Sequence, residues 1–287
     1  MLVVNDTRVL PARLRAVRPT GGAAEVLLLR AVDDEGTWEA LVRPSRKLPP
    51  GSTLTVDPGL AVEVADDLGE GRRYVRLSSD GPLVDALDRC GEMPVPPYLT
   101  TTLDDPERYQ TVYSRRPASA AAPTAGLHLT DGVLKDCRSA GARVERLELV
   151  VGLDTFRPIT ADDLDDHRMH CEDYEVPQAT LEACRDARRV IAVGTTTVRA
   201  LESAARYGLD GRTDLFIRPG FGFSVVDVLL TNFHLPRSSL LVLLEAFAGP
   251  RWRDLYATAL QQGYRFLSFG DAMLVGRADV KRGVISR

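Results

Sequence analysis

The first eighty or so residues alternate apolar and polar positions over several short stretches. Alternation with a period of two points one side of a stretch at a core and the other at solvent, which is typical of β-strands. We predict strands over residues 25–29, 37–42, 53–56, 61–64 and 74–77. Glycine and proline residues break the pattern between them, and this spacing predicts a small antiparallel barrel or sandwich.

The pattern changes after residue 82, where we predict a short helix over residues 84–89. The next segment, Met93-Pro94-Val95-Pro96-Pro97-Tyr98, is too rich in proline to be an interior strand or helix. We therefore place a crossing between domains here.

From residue 130 onward, helical and strand patterns alternate, which is typical of an α/β layer arrangement. We predict a helix capped by Thr130 or Asp131, one over 179–188, one through 198–207, and two more over 238–247 and 252–261. The predicted strands are 144–151, 190–193, 215–217, 225–231 and 266–269.

Composition is that of an ordinary globular protein, with 44% hydrophobic residues in a chain of 287. No stretch approaches the roughly 20 apolar residues that cross a bilayer, and the first residues lack the pattern of a signal peptide. The four cysteines form no Cys-x-x-Cys pair, which agrees with reduced thiols. We therefore expect a cytoplasmic protein without a membrane partner.

The net charge of −4 means that any polyanionic partner must be met by a local patch. Each basic cluster is consistent either with an ordinary solvent-exposed surface or with a contact to phosphate. The clusters are Arg43 with Arg46 and Lys47, Arg72 with Arg73, Arg115 with Arg116, and Arg185 with Arg188 and Arg189.

Residues 121–128, Ala-Ala-Pro-Thr-Ala-Gly-Leu-His, combine small side chains with a histidine. Gly126 permits backbone angles closed to other residues, Thr124 offers a hydroxyl, and His128 offers an imidazole that can exchange a proton. Such a run fits backbone brought close to a ligand, and it also fits a tight turn under a helix.

A strand, a glycine and three threonines follow one another over residues 190–197. A helix that begins after a strand exposes unpaired backbone N–H groups, which favour a carboxylate or phosphate. An ordinary capped helix explains the same pattern. The segment lacks the glycine spacing of nucleotide-binding loops.

Polar groups are also concentrated in His167-Arg168-Met169-His170-Cys171-Glu172, with the two histidines spaced as on one helical turn. No other His or Cys stands at a ligand spacing nearby, so we predict no metal site. General acid–base chemistry by a histidine with Glu172 and a purely structural role both remain open. Farther along, Asn232 and His234 follow a predicted strand, on a loop that faces the same edge of the sheet.

Taken together, these motifs resemble the S-adenosylmethionine:tRNA ribosyltransferase-isomerase family of the queuosine pathway. The resemblance runs nearly end to end, through residues 2–14, 93–98, 108–113, 121–128, 167–172, 193–199, 231–236 and 264–273. It implies an α/β large domain that carries the site, with an inserted small antiparallel β-barrel domain. On this basis we assign residues 1–12 and 83–287 to the large domain and 13–82 to the barrel.

The resemblance also implies a reaction. The ribosyl moiety of S-adenosylmethionine, a co-substrate, is transferred to 7-aminomethyl-7-deazaguanine in tRNA and isomerised to give epoxyqueuosine-tRNA, while adenine and methionine leave. No metal is implied, the tRNA partner is recognised in its anticodon region, and the protein acts as a monomer. A sulfonium acidifies the neighbouring C5′ protons, so a histidine or carboxylate is a sufficient base.

We predict three groups of site residues. Acid–base groups are His128, His170 and Glu172. The S-adenosylmethionine contacts are Ala122, Pro123, Thr124, Ala125, Gly126, Gly194, Thr195, Thr196 and Arg199, of which Gly194–Thr196 and Arg199 hold the donor's carboxylate. The remaining substrate contacts are Asp6, Arg8, Tyr98, Arg108, Tyr109, Gln110, His167, Asn232 and His234.

The chain departs from the family pattern at two positions of the segment 148–156, where a histidine is replaced by Val150 and a glycine by Asp154. The family also has further residues before the Asn-Asp-Thr-Arg segment. These departures leave two alternatives open. One is a divergent S-adenosylmethionine-dependent transferase or lyase acting on a small nucleoside or amine, and the other is a non-catalytic adenosyl- or tRNA-binding homologue.

Overall fold

The structure is a computed structural model that describes residues 1–33, 35–96, 98–99, 105–152, 158–161 and 163–278. Within these residues the strands β1 to β16, in chain order, are Leu2–Asn5, Thr7–Val9, Arg13–Val17, Ala23–Ala31, Thr37–Arg43, Thr53–Asp57, Leu60–Gly69, Arg72–Ser79, Gly91–Glu92, Arg116–Ser119, Val144–Leu149, Glu172–Glu175, Ile191–Val193, Asp210–Thr213, Val228–Asn232 and Ala272–Gly276. The helices α1 to α6 are Leu83–Cys90, Asp131–Ser139, Gln178–Asp186, Thr195–Tyr207, Ser239–Ala248 and Trp252–Gln261.

The chain forms two compact units, and both are assembled from separate segments. The first contains residues 1–7, 107–115 and 123–287, and the second contains residues 8–106 and 116–122. The α/β class and the inserted barrel are confirmed. The boundaries of the units differ from the predicted ones, because residues 8–12, 83–106 and 116–122 group with the barrel.

The first unit is built on a mixed sheet with the strand order β14-β12-β11-β1-β13-β15-β16. Its four inner strands, β11, β1, β13 and β15, run parallel, and the outer strands are antiparallel to their neighbours. Every residue of β1 is buried, which suits an apolar strand covered on both faces. Ten residues of α4 are buried as well, so this helix packs with most of its surface in the core.

The second unit is a six-stranded antiparallel barrel in the order β4-β5-β8-β7-β6-β3, closed by the pairing of β3 with β4. Burial alternates along β3, where Leu14 and Ala16 face the interior while Arg15 and Val17 face solvent. This period of two is the pattern that predicted the strands, and all five barrel strands predicted from it are present. Strand β9 extends the barrel sheet beside β3.

Two predicted strands are wrong. Residues 215–217 and 266–269 are mostly apolar, but they form no strand. The strands nearest to them along the chain are β14 and β16. The apolar side chains of the two segments are covered by side-chain packing instead. Ile217 is buried in an irregular segment, and the ring of the partly buried Phe266 lies 5.4 Å from that of Phe233. Strand β14, Asp-Gly-Arg-Thr, is polar because it forms the sheet edge, so its sequence has no apolar signal.

Candidate active site

The parallel strands of the first unit end at one edge of the sheet, and the segments that follow them carry most of the predicted site. Asn5 ends β1, Val150 follows β11, Gly194 follows β13, and Asn232 ends β15. Ligands of open α/β sheets bind at such an edge. Asn5 is buried there and ties two strands together, since its amide nitrogen donates to the carbonyl of Leu149 at 2.9 Å.

The 3-10 helix Thr124–His128 places a histidine on this edge. Nε2 of His128 lies 2.8 Å from Oδ1 of Asn232, whose amide nitrogen donates to Oγ1 of Thr124 at 2.9 Å. In this orientation Oδ1 can only accept, so Nε2 of His128 carries the proton and Nδ1 is the basic nitrogen. Three residues predicted from separate motifs are thus brought into one hydrogen-bonded group.

Gly126 is required by close packing and not by its backbone angles, which corrects the reason predicted from the sequence. Its φ lies outside the left-handed region. A Cβ at this position would stand 2.0 Å from Oη of Tyr113 and 2.8 Å from Cγ2 of Thr111. The helix that bears His128 therefore rests directly on the buried ring of Tyr113, and burial raises the pKa of that phenol.

Helix α4 begins at the same edge, directly after Gly194, which has a φ of 93° and provides no side-chain cap. A Cβ on Gly194 would lie 3.6 Å from Cβ of Ala125, so the two segments predicted to bind the donor are in contact. In the first turn, Thr197 is used structurally, because its hydroxyl donates to the carbonyl of Val193. The hydroxyl of Thr196 is buried and has no hydrogen-bond partner among the described residues.

Glu172 and Arg199 form a buried ion pair between β12 and α4. Burial lowers the pKa of Arg199 to about 10, which still leaves the guanidinium charged at neutral pH. The other oxygen of Glu172 accepts from the backbone N–H of Gly152 at 3.2 Å. Two residues predicted to act separately, as an acid–base group and as a carboxylate ligand, are therefore partners of each other.

A small cavity of about 20 Å³ borders Arg199 and Thr195. Its other walls include Met169, Phe216 and Leu243, so it is apolar apart from Arg199, Thr195 and Ser239. A volume of this size holds about one water.

The two histidines of the segment 167–172 do not share a helical turn, which corrects the prediction. The 3-10 turn ends at Asp166, and residues 167–171 form an irregular approach to β12. The ring of His167 packs edge-on against Phe216 at 5.1 Å, and burial together with the charge of His170 lowers the pKa of His167. His170 is exposed.

His234 lies in the interior. Its Nε2 is 2.8 Å from the hydroxyl of Thr231, and its backbone N–H donates to the hydroxyl of Tyr256 at 2.7 Å. Burial lowers the pKa of His234 to about 4, so the ring is neutral at pH 7. The geometry gives this histidine a function in fixing the loop after β15.

The remaining predicted substrate residues occupy varied positions. Asp6 pairs with Arg146 and Arg115, at 3.4 and 3.8 Å. Tyr109 and Gln110 are buried, whereas Arg108 is exposed and its guanidinium lies 6.0 Å from the ring centroid of Phe269. Arg8, Tyr98 and Ala122 belong to the second unit, and Asp154 lies outside the described residues.

Comparison with known proteins identifies the family. The family model described as "Queuosine biosynthesis protein" matches residues 1–275. The chain belongs to this queuosine biosynthesis family.

Named relatives have closely similar sequences over most of this chain. S-adenosylmethionine:tRNA ribosyltransferase-isomerase of Rubrobacter xylanophilus is 53% identical, over 96% of this chain and 81% of that protein. The protein of the same name from Thermus thermophilus is 49% identical, over 96% of this chain and 84% of its own length. A crystal structure of S-adenosylmethionine tRNA ribosyltransferase from Thermotoga maritima is 34% identical, covers 95% of this chain and 81% of its own, and superposes with a TM-score of 0.47.

Within this queuosine biosynthesis protein, the structure adds site residues that the sequence analysis did not name. Tyr256 holds the loop of His234, and burial raises the pKa of its phenol to about 12. Glu202 of α4 is fully buried and accepts backbone N–H groups from Ser224, Val225 and Val226, just before β15. A charged residue on the apolar face of α4 was the available signal for Glu202, whereas Tyr256 stands in an ordinary amphipathic helix.

Two absences hold for the described part of the chain. No group of three or more His, Cys, Asp or Glu side chains there is arranged to hold a metal ion. Nor does any helix in that part have the length and apolar character needed to cross a membrane.

Proposed function

We propose that this protein transfers the ribosyl moiety of S-adenosylmethionine to 7-aminomethyl-7-deazaguanine in tRNA and isomerises it, with release of adenine and methionine. The family and the names of the relatives support the reaction. The observation that carries the assignment to this edge of the sheet is the hydrogen-bonded group of His128, Asn232 and Thr124.

In this proposal Nδ1 of His128 is the base that removes a C5′ proton from the donor. The positive sulfonium acidifies that proton, so a neutral imidazole is strong enough. Oδ1 of Asn232 accepts from Nε2–H, which fixes the tautomer and stabilises the imidazolium that forms. His128 is half-buried, so its ring is shielded from bulk water while one edge stays accessible.

The carboxylate of the donor's methionine part is assigned to the start of α4. Unpaired N–H groups of the first turn favour an anion, and the buried hydroxyl of Thr196 without a partner adds a donor aimed at the same turn. Arg199 supports this site from its ion pair with Glu172, where it contributes a positive charge one turn into the helix. Glu172 then acts as a positioning residue for Arg199.

We further propose that the tRNA is recognised in its anticodon region, that the protein works as a monomer and that the reaction needs no metal. The short distance between Gly194 and Ala125 supports one continuous donor site formed by the two segments.

The decisive experiment follows adenine and methionine release from S-adenosylmethionine, with precursor-bearing tRNA, with unmodified tRNA and with a small amine acceptor. Release that depends on precursor-bearing tRNA supports the proposal. Release with the small acceptor alone would support the divergent transferase or lyase, and binding of the donor without release would support the non-catalytic homologue.

His128→Gln then tests the role of the histidine. Glutamine can still donate to Asn232 but cannot take up a proton, so we expect a loss of about 10²–10⁴ in kcat, typical of a removed general base. His170→Gln is measured beside it, because His170 is the other histidine that the sequence predicts as an acid–base group. If His128→Gln turned over within about threefold of the parent, Nδ1 of His128 would not be the base, whereas a comparable loss in His170→Gln would assign an acid–base role to His170 as well.

A further inference from the structure

The barrel carries an open groove on its outer surface, separate from the edge of the sheet described above. The groove has a volume of about 960 Å³ and is lined by the ends of β3, β4 and β5 together with the turn Ser45–Lys47. All of these residues belong to the second unit. None of them is used by the proposed chemistry.

The floor of the groove is apolar and accessible. Val17 of β3 is 52% exposed and is the cross-strand neighbour of Ala23 on β4. Pro44, exposed beside them, lines the same groove. An uncharged floor of small side chains lets a sugar or base approach closely without loss of a hydrogen bond.

The rim of the groove is cationic. Arg43, Arg46 and Lys47 are exposed, and no carboxylate pairs with any of them among the described residues. The fourth cation, Arg15, is already engaged by Glu25 and Glu92, at 2.8 and 3.2 Å. Three positive charges are thus left unpaired in a chain whose net charge is −4.

Several arginines elsewhere on the barrel are paired with acidic residues. Arg30 and Arg72 pair with Glu39, and Arg89 pairs with Asp57. The one carboxylate that lines the groove, Glu25, is the cross-strand neighbour of Arg43. It is engaged by Arg13 and Arg15, at 3.5 and 2.8 Å, so the three rim cations leave a local field that attracts a polyanion. The charge complementarity points to phosphates.

We propose that this groove binds the RNA backbone of the substrate, with phosphodiester groups on Arg43, Arg46 and Lys47 and a ribose or base over Val17. Identifying the RNA as tRNA rests on the proposed function. A concave surface suits a chain-like polyanion better than a flat bilayer. Because no carboxylate pairs with these three cations among the described residues, they are available for phosphates.

The test compares two triple variants that remove the same charge. Arg43→Gln/Arg46→Gln/Lys47→Gln empties the rim of the groove. Its matched control, Arg185→Gln/Arg188→Gln/Arg189→Gln, neutralises three exposed cations of the first unit. Binding of purified, unmodified tRNA is measured by fluorescence anisotropy between 0.05 and 0.5 M salt (an assay range of about tenfold). No turnover is required.

We expect the groove variant to lower the slope of log K against log salt by about 2 to 3, since each lost phosphate contact removes about 0.7–0.9. If all variants bind alike at 1 M salt, a drop of two corresponds to about 100-fold weaker binding at 0.1 M. The control should keep the parental slope. In turnover assays the groove variant should raise KM for tRNA and leave kcat unchanged.

Val17→Glu provides a second, independent perturbation, because it places a carboxylate at a floor position that is 52% exposed. It should also weaken tRNA binding. Equal slopes for the parent and the groove variant, or an equal loss in the control, would overturn the proposal. The affinities of the parent and the groove variant for polyglutamate and for anionic vesicles are measured as well. If the groove variant lost more affinity for either of these than for tRNA, the proposal would be overturned in favour of another polyanion.

Failure of the proposed function leaves a different signature. A protein that releases no adenine with any tRNA but binds tRNA through these cations would refute the reaction and retain the groove. If the parent turned over normally and the groove variant kept the parental salt slope, the proposed reaction would stand and the proposed groove would be refuted.

Discussion

Substituting Gly126 by alanine tests whether the helix that bears His128 is held by packing on Tyr113. The added Cβ would stand 2.0 Å from Oη of that tyrosine. Ordinary contacts begin near 3.5 Å, so one of the two groups would have to move by roughly 1.5 Å. Tyr113 cannot retreat easily, because it is 5% exposed in a cluster with Leu2, Val4 and Leu129.

The expected cost comes from steric overlap alone. The φ of Gly126 lies outside the left-handed region, so alanine brings no backbone strain there. Overpacking of this kind costs about 1–3 kcal/mol in the free energy of unfolding. Tyr113→Phe removes the closest atom, while Cγ2 of Thr111 at 2.8 Å and Cζ of the ring at 3.0 Å remain, so the double variant should recover part of the loss.

Urea unfolding of the parent, the two single variants and the double variant gives the coupling energy, and adenine release from the same proteins reports on His128. We expect Gly126→Ala to lower kcat more than it raises KM, because the shifted helix displaces the base. A Gly126→Ala protein as stable as the parent would refute the packing argument. An additive double variant would show that Tyr113 is not the obstacle.

Two further predictions concern buried titratable groups. His234 has a pKa of about 4 in the folded state and 6.5 when exposed, so only the unfolded chain takes up a proton as the pH falls from about 7 to 4. The folded state should therefore become less stable over this range, and about 2 kcal/mol of the free energy of unfolding should be lost between pH 7 and pH 5. His234→Gln should abolish that part of the difference in urea unfolding, and an unchanged pH dependence would contradict it. Glu172→Gln should cost about 3–5 kcal/mol by leaving Arg199 buried without its partner, while Glu172→Gln/Arg199→Leu should recover much of it. A loss below about 1 kcal/mol in Glu172→Gln would show that the pair is solvated.

Local periodicity predicted much of the fold. The barrel strands were found because their inner and outer residues alternate, and α4 because three threonines follow a glycine. Strand β14 escaped prediction since an edge strand held by backbone hydrogen bonds to β12 needs no apolar side chains. Phe266 misled because an aromatic residue can pack against other rings without any strand.

The sequence indicated which residues form the site, but it did not indicate which of them contact one another. The run of small residues 121–128 gave Thr124 and His128 as candidates, and a strand end gave Asn232. Only the folded chain brings these residues, 104 and 108 positions apart, into hydrogen bonds. The Glu172–Arg199 pair changes the expected chemistry of both members for the same reason. Steric needs, such as that of Gly126, depend on a neighbour that the local sequence does not name.

Strand β1 has a consequence for the synthesis of the protein. It occupies the middle of the sheet, where Leu2 pairs with Val144 on one side and with Ile191 on the other. At typical rates of about 5–20 residues per second, the ribosome needs roughly 10 to 40 s to make the second partner. The barrel, whose strands are all complete by Ser79, can fold during that wait. A nascent chain therefore carries a finished barrel and an unpaired apolar strand at the same time, and a chaperone that recognises short apolar segments would have its best opportunity there.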